Sequence, residues 1–260
     1  MARLDYAEVL DLFLWTMDKL TRPTLCNLLA GYEEYAHRPE NRAAFYQLER
    51  QRFLERNGRG TCATYRITAE GVRRAQVTEP HDAWDRPWDG AWRVVIFDLP
   101  EERRQDRQML WRALRARKLG LLQRSVWIWP HPLPPVLGDD VIEAQSVPER
   151  FCGFTARELF RCTHAEVVAC AWDWVEIASR QANYRHHPTL SGNPIAATGD
   201  LAALAALARC ERRLYQSAFS LDPLLPRTLW PKDYQGVATQ QFHQRFRRAL
   251  ALRYVELAGD

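Results

Sequence analysis

Between Trp92 and Trp129 the spacing of apolar residues changes twice, and that change restricts the fold more than any other feature of the chain. Trp92-Arg93-Val94-Val95-Ile96-Phe97 is a nearly continuous apolar run rich in β-branched and aromatic residues, which predicts a buried strand, and Asp98-Leu99-Pro100 ends it. From Glu101 to Lys118 the apolar positions Met109, Leu110, Ala113 and Leu114 recur at helical spacing, and Gly120 follows as a stop signal. The stretch Leu121 to Trp129 then returns to strand character, with Trp127-Ile128-Trp129 as its core. Strand, helix, strand is a βαβ opening. With a further strand expected at Ala165–Ala171, the segment fits a split βαβ, ferredoxin-like sheet.

The N-terminal segment has a different pattern. Val9, Leu10, Phe13, Leu14, Met17 and Leu20 share one face of a helix that Pro23 ends, and Leu25, Leu28 and Leu29 form a short second helix stopping near Gly31. A third helix is expected from Pro39 to Gln51, with Ala44, Phe45, Leu48 and Gln51 on one face and Arg42, Tyr46 and Arg50 opposite, Gln47 lying at the edge. Beyond Asn57-Gly58, residues Gly60–Thr68 alternate as a β-ribbon. Three helices followed by a ribbon make a winged helix-turn-helix. The Pro-, Asp- and Gly-rich stretch from Thr78 to Gly90 predicts a linker. Beyond Trp172 helices are expected at Trp172–Tyr184, Gly199–Phe219 and Gly236–Leu257, broken by prolines. The expected class is therefore α+β, with a winged helix-turn-helix over 1–78, a ferredoxin-like domain over 91–175 and a mostly helical C-terminal domain over 176–260.

Charge then points to a partner. The window His37–Arg74 holds nine arginines against four glutamates, an excess of five that exceeds the net charge of +4 of the whole chain. A helix in the major groove needs long donors on its outer face, because guanine presents two acceptors to an arginine and adenine an acceptor–donor pair to a glutamine. Arg42, Gln47 and Arg50 meet that need, beside Tyr46. Arg38, Arg52, Arg56, Arg59 and Arg66 are placed to reach phosphates. Taken alone, an arginine-rich face is also what a solvated helix shows; the two preceding helices and the following ribbon favour double-stranded DNA.

No apolar run approaches the length of a membrane span, and Asp5 falls where a signal peptide would be apolar, so a cytoplasmic location without a membrane partner is expected. The six cysteines, Cys26, Cys62, Cys152, Cys162, Cys170 and Cys210, have no CxxC pairing and are expected as reduced core residues. Asp98 at a strand end can either cap the following helix or hold a divalent metal for phosphodiester hydrolysis, with Glu101 and Glu102 close by. His164, His186, His187 and His243 show no metal-ligand spacing, and no phosphate-binding glycine loop or nucleophile elbow occurs. No catalytic residue, metal or cofactor is therefore expected. Trp172, Trp174, Tyr184, Phe219, Trp230 and Tyr234 are either core aromatics or the lining of an effector pocket.

Three stretches together resemble one family. Leu48-Glu49-Arg50-Gln51-Arg52-Phe53-Leu54 leading into Tyr65-Arg66-Ile67-Thr68-Ala69-Glu70-Gly71 is similar to the recognition helix and wing of the phenylacetate-catabolism repressor (PaaX-like) family. Trp92–Pro100 with Glu101, Arg107 and Leu114, closed by Val126-Trp127-Ile128-Trp129-Pro130, resembles its central domain. Asp222-Pro223-Leu224-Leu225-Pro226 and Trp230-Pro231-Lys232-Asp233-Tyr234-Gln235-Gly236 resemble its C-terminal motif. Arg42 matches an arginine of that recognition helix, whereas Gln47 stands where the family tends to place another. The resemblance implies a homodimeric repressor of a catabolic operon, released from DNA by an aryl-CoA thioester such as phenylacetyl-CoA. It also implies a central domain with the fold of the small CRISPR-adaptation endoribonucleases. The competing readings are a metal-dependent nuclease using the central domain and a scaffold that contacts only proteins.

Overall fold

A computed structural model describes residues 46–58, 64–70, 80–98, 100–137 and 151–259. The helices expected within 5–31 and the first part of the third helix lie outside the described residues. Contacts divide the chain into two compact units along lines other than the linear division expected above: residues 1–79, 184–216 and 238–260 form one, and residues 80–183 and 217–237 the other.

The second unit is built on a four-stranded sheet. Its strands are β3 (Trp92–Ile96), β4 (Gly120–Gln123), β5 (Val126–Trp129) and β6 (Cys152–Ala156), in the order β4-β5-β3-β6 with every neighbour antiparallel. Arg93 pairs with Trp129 on one side and Thr155 on the other. Strands β3 and β4 are joined through helix α2 (Arg104–Ala116) and both run opposite to β5, so they are parallel with β5 between them. That is the split βαβ arrangement expected.

Four local expectations change. Leu121–Trp129, read as one strand, is a hairpin turning at Arg124-Ser125, with a register shift between Leu121 and Gln123. Ala165–Ala171, read as a strand, lies in helix α4 (His164–Ala171), because Thr163 and Glu166 form a reciprocal capping box: Glu166 N–H donates to Thr163 Oγ1 at 3.2 Å, and Thr163 N–H donates to Glu166 Oε2 at 2.7 Å. The sheet's fourth strand is β6 instead. Within the expected linker, Pro80–Trp84 is a short helix, α1, and its Trp84 is only 3% exposed.

Apart from Arg93, the side chains of the central strand β3 are apolar; Trp92, Val95, Trp127, Ile128 and Leu114 of α2 are all fully buried. Helix α2 turns Leu110 and Leu114 inward and ends at Lys118, whose φ is 64°. Lys118 N–H donates to Arg115 O at 2.9 Å and Leu119 N–H to Leu114 O at 3.2 Å, the two bonds of a Schellman closure. Helix α3 (Leu133–Leu137) and helix α5 (Trp174–Arg185) complete the named helices before residue 186.

In the first unit, β1 (Leu54–Asn57) and β2 (Thr64–Ile67) form an antiparallel ribbon in which Glu55 pairs with Arg66 and Arg56 with Tyr65. The ribbon thus begins earlier than the Gly60 start expected, because residues 54–57 supply its first strand. Helices α6 (Leu201–Ala218) and α7 (Gly236–Gly259) match the expected spans within two residues at each end. Between them lies a buried polar cluster: the Tyr184 hydroxyl donates to Glu211, His243 Nδ1 lies 2.6 Å from Glu211 Oε1, and the His243 ring stacks on Tyr215 at 3.6 Å. A buried carboxylate requires such partners.

Candidate nucleic-acid interface and the aromatic cluster

The expected DNA-reading face centres on the helical segment 46–50. Leu48 is 0% exposed and fixes which side faces inward, leaving Tyr46 at 65% exposure, with Gln47 and Arg50 also exposed. The helix closes at Arg52, whose φ is 61°. Arg52 N–H donates to Glu49 O and Phe53 N–H to Leu48 O, both at 2.9 Å, again a Schellman closure. Thr68 then joins the far end of the ribbon to this turn: its hydroxyl donates to Arg52 O at 2.7 Å, and its N–H donates to Phe53 O at 3.0 Å. Helix end and ribbon base are thereby held together, with Arg50, Arg52 and Arg56 all solvent-exposed. Arg66 lies in β2 opposite Glu55. Arg38, Arg42 and Arg59 lie outside the described residues.

Of the six aromatic residues considered for an effector, Trp172, Trp174, Trp230 and Tyr234 converge in the second unit. Trp172 and Trp174 ring centroids are 6.4 Å apart, Trp174 meets Tyr234 edge-on at 6.0 Å, and Trp230 lies 4.8 Å from Tyr234. Tyr184 belongs to the other unit. Each indole N–H in the cluster donates inside the protein: Trp172 to Lys118 O, Trp174 to Val168 O and Trp230 to Leu225 O, each at 2.9 Å. Trp172 additionally borders a cleft of about 290 Å³, with Trp111, Arg115, Lys118, Trp127 and Leu221 among its other walls.

The hub of this cluster is a residue that sequence reasoning placed only in a motif. Asp222 is 0% exposed; its Oδ2 accepts from Tyr234 Oη and Gln181 Nε2, each at 2.7 Å, and its Oδ1 from Leu224 N–H at 2.8 Å. Trp84 Nε1 donates to the same Tyr234 hydroxyl at 3.0 Å. Burial pushes the Asp222 carboxyl above the usual carboxylate range, opposed by these donors and by Lys118. Burial lowers the Lys118 ammonium, which donates to Phe219 O at 2.9 Å. Gly236 is required beside the hub, since a Cβ there would lie 2.3 Å from the Tyr234 ring.

Asp98 is exposed just beyond β3, and among the described residues no group of three or more His, Cys, Asp or Glu side chains is placed to hold a metal ion. His164 accepts from Trp92 Nε1 at 3.1 Å and packs edge-on to Trp88. The cysteine expectation is corrected: Cys152, Cys162 and Cys170 are exposed free thiols and Cys210 is half-buried. Cys170 is exposed beside the buried Val167, Val168 and Ala171 face of α4, and Cys152 starts an edge strand of the sheet.

The sheet defines an α+β protein with a split-βαβ domain. Residues 85–168 match the family of the PaaX protein central Cas2-like domain. Among solved structures, the uncharacterized protein Rv0674 from Mycobacterium tuberculosis is similar in fold, with a TM-score of 0.57 at 22% identity over 95% of this chain and 96% of the other. No curated protein sequence matches. Among the described residues, no helix is long and apolar enough to cross a membrane.

Proposed function

We propose that the chain is a DNA-binding transcriptional regulator, a homodimeric repressor of a catabolic operon that grips duplex DNA through a winged helix-turn-helix at its N-terminal end. The observation that carries this reading is the exposed Tyr46, Gln47, Arg50 face on a helix whose end is bonded to the base of an arginine-bearing ribbon. The match of residues 85–168 to the PaaX protein central Cas2-like domain supports it. Arg50 and Gln47 are assigned to base edges, while Arg52, Arg56 and the ribbon arginines are assigned to phosphates. An aryl-CoA thioester or related effector releases the protein by binding the DNA-incompetent state more tightly than the competent one. Trp172, which lines a cleft, is the best placed of the aromatic candidates.

The test is retardation of duplex fragments from beside the protein's own gene, in Mg²⁺, followed by the same assay with Arg50→Ala and Arg59→Ala. Arg50→Ala is expected to cost about 1–3 kcal/mol and to relax preference at one base pair; Arg59→Ala is expected to weaken all sequences alike. A duplex that is cut rather than retarded, with cutting abolished by Asp98→Ala, would replace this reading with a nuclease.

A further inference from the structure

We propose that the outer face of α2, continued by Arg124 of the β4–β5 turn, is a second contact for the phosphate backbone of duplex DNA. The segment Arg103–Arg124 holds seven arginines and one lysine against one aspartate, an excess of seven that is larger than that of the window His37–Arg74. Part of this charge is engaged internally. Arg103 Nε donates to Asp106 Oδ2 at 2.8 Å, Arg117 to Ala113 O at 3.2 Å and Lys118 to Phe219 O at 2.9 Å. Arg104, Arg112, Arg115 and Arg124 are exposed, and among the described residues none of these four pairs with an acid. Helical geometry sets the first three in one line. At roughly 100° per residue, Arg104, Gln108, Arg112 and Arg115 fall within about 80° of one another around the axis, while Leu110 and Leu114 turn into the core. Asp106, the one acid of α2, lies more than about 100° from each of them, and Glu101 and Glu102 mark where the stripe begins. Arg124 borders, with Gln108 and Arg112, the groove beside Trp111. Arg115 is held over the Trp111 ring at 4.9 Å, and that ring meets the buried Trp127 edge-on at 5.7 Å.

Charge and length select the occupant. From Arg104 to Arg115 the stripe runs about 16 Å along the helix axis. A small anion covers only part of that length, whereas duplex DNA carries a charge about every 1.7 Å of its axis. Guanidinium forks match phosphate oxygens two at a time, and Gln108 adds a neutral donor between them. An anionic membrane surface would require apolar side chains on the same helix to insert, but Met109 is the one large apolar side chain of α2 that is exposed. A protein interface is built around apolar or aromatic anchors, and the arc holding Arg104, Gln108 and Arg112 has none. The choice of DNA as the polyanion rests on the DNA-binding reading given above, although the stripe and the Tyr46–Arg56 face belong to different units.

Salt-series titration of the full chain tests this, using one duplex from beside the protein's own gene and one of scrambled sequence. The wild type is compared with a triple variant, Arg104→Gln, Arg112→Gln and Arg124→Gln, with the same three positions changed to lysine, and with Arg50→Ala. Arg115 is left in place because it stacks on Trp111. The glutamine variant should bind both duplexes at least about tenfold more weakly at about 50 mM salt and flatten the slope of log K against log salt by about 2.7, at roughly 0.9 per phosphate released. The lysine variant should keep the wild-type slope, and both should keep native circular dichroism. Unchanged affinity and slope in the glutamine variant overturn the inference, as does an equal loss in the lysine variant. Binding of single-stranded RNA without binding of either duplex overturns it too. The two readings fail separately. If Arg50→Ala relaxes sequence preference while the glutamine variant keeps its slope, the recognition helix stands and the stripe falls; if Arg50→Ala changes nothing while the glutamine variant loses slope, the stripe stands and the recognition helix falls.

Discussion

Replacing Arg52 by glycine separates folding from DNA binding at one position. Arg52 adopts a left-handed backbone, φ 61°, at the C-terminal closure of the 46–50 helix, and both closing bonds, at 2.9 Å, are made by main-chain atoms that glycine retains. A residue with a Cβ spends about 1–2 kcal/mol in this region. Glycine removes that strain but gains freedom in the unfolded chain, which takes back about 0.5–1 kcal/mol. The net change is between zero and about 1.5 kcal/mol of added stability, which for a chain of this size raises Tm by at most about 3–6 °C. The same substitution deletes a positive charge assigned to the DNA backbone, so duplex affinity should fall and the slope of log K against log salt should flatten by about 0.9. Arg52→Ala removes the same charge and keeps the strain, so it should match Arg52→Gly in DNA binding without the gain in Tm. Scanning calorimetry and a salt series of duplex titrations measure the two effects. A clear drop in Tm for Arg52→Gly would refute the left-handed closure, and unchanged affinity and slope would refute the phosphate contact.

Gly120→Ala should destabilise by about 1–3 kcal/mol in urea titration, because the new Cβ would fall 2.7 Å from Cζ2 of Trp172, whose indole is held by Lys118 O. Asp222→Ala leaves Gln181, Tyr234 and the Leu224 N–H without their acceptor and should cost more than about 3 kcal/mol; Asp222→Asn, which keeps one acceptor oxygen, should cost less, and equal losses would contradict the hub. His131 is held down to about 4 by burial and then by Arg86 and Arg93. Its folded pKa lies below the unfolded value of about 6.5, so the unfolded chain binds the extra proton between those values and stability falls as pH drops from 6.5 to 4, by at most about 3 kcal/mol. A non-titrating His131→Asn should flatten that part of the stability–pH curve, and an unchanged slope would remove His131 from the account.

The strongly periodic elements were legible in the sequence. Strand β3 and helix α2 lie where the change of apolar spacing placed them, and α6 and α7 lie within two residues of their expected ends. What was missed had weak or competing signals. The β4–β5 turn uses Gln123, Arg124 and Ser125, without glycine, proline or asparagine to mark it. His164–Ala171 is an apolar run too short for periodicity to decide, and only the Thr163/Glu166 pair identifies it as a helix. Strand β6, Cys-Gly-Phe-Thr-Ala, combines mixed residues with an exposed edge position. At the candidate interface the outward placement of Tyr46, Gln47, Arg50 and Arg52 was legible, because Leu48 fixes the inner face. The groove beside Trp111 was not, since Arg124 is twelve residues beyond Arg112 and only the hairpin brings the turn to the helix. Asp222 reads locally as a turn residue before proline; nothing nearby reveals that Gln181 and Tyr234 will enclose it.

The interleaving of the two units along the chain sets a timetable for folding during synthesis. The sheet-bearing unit needs residues 217–237, so Trp84 and Trp174 emerge from the ribosome well before Tyr234, their common neighbour. At roughly 5–20 residues per second, the sixty residues separating Trp174 from Tyr234 represent about 3–12 s in which those rings lack part of their covering. The other unit waits longer, until residues 238–260 have followed. A chain terminated after residue 175 would contain every strand of the four-stranded sheet yet keep that aromatic flank open to water. Its fate would be aggregation or capture by chaperones rather than accumulation as a soluble central domain.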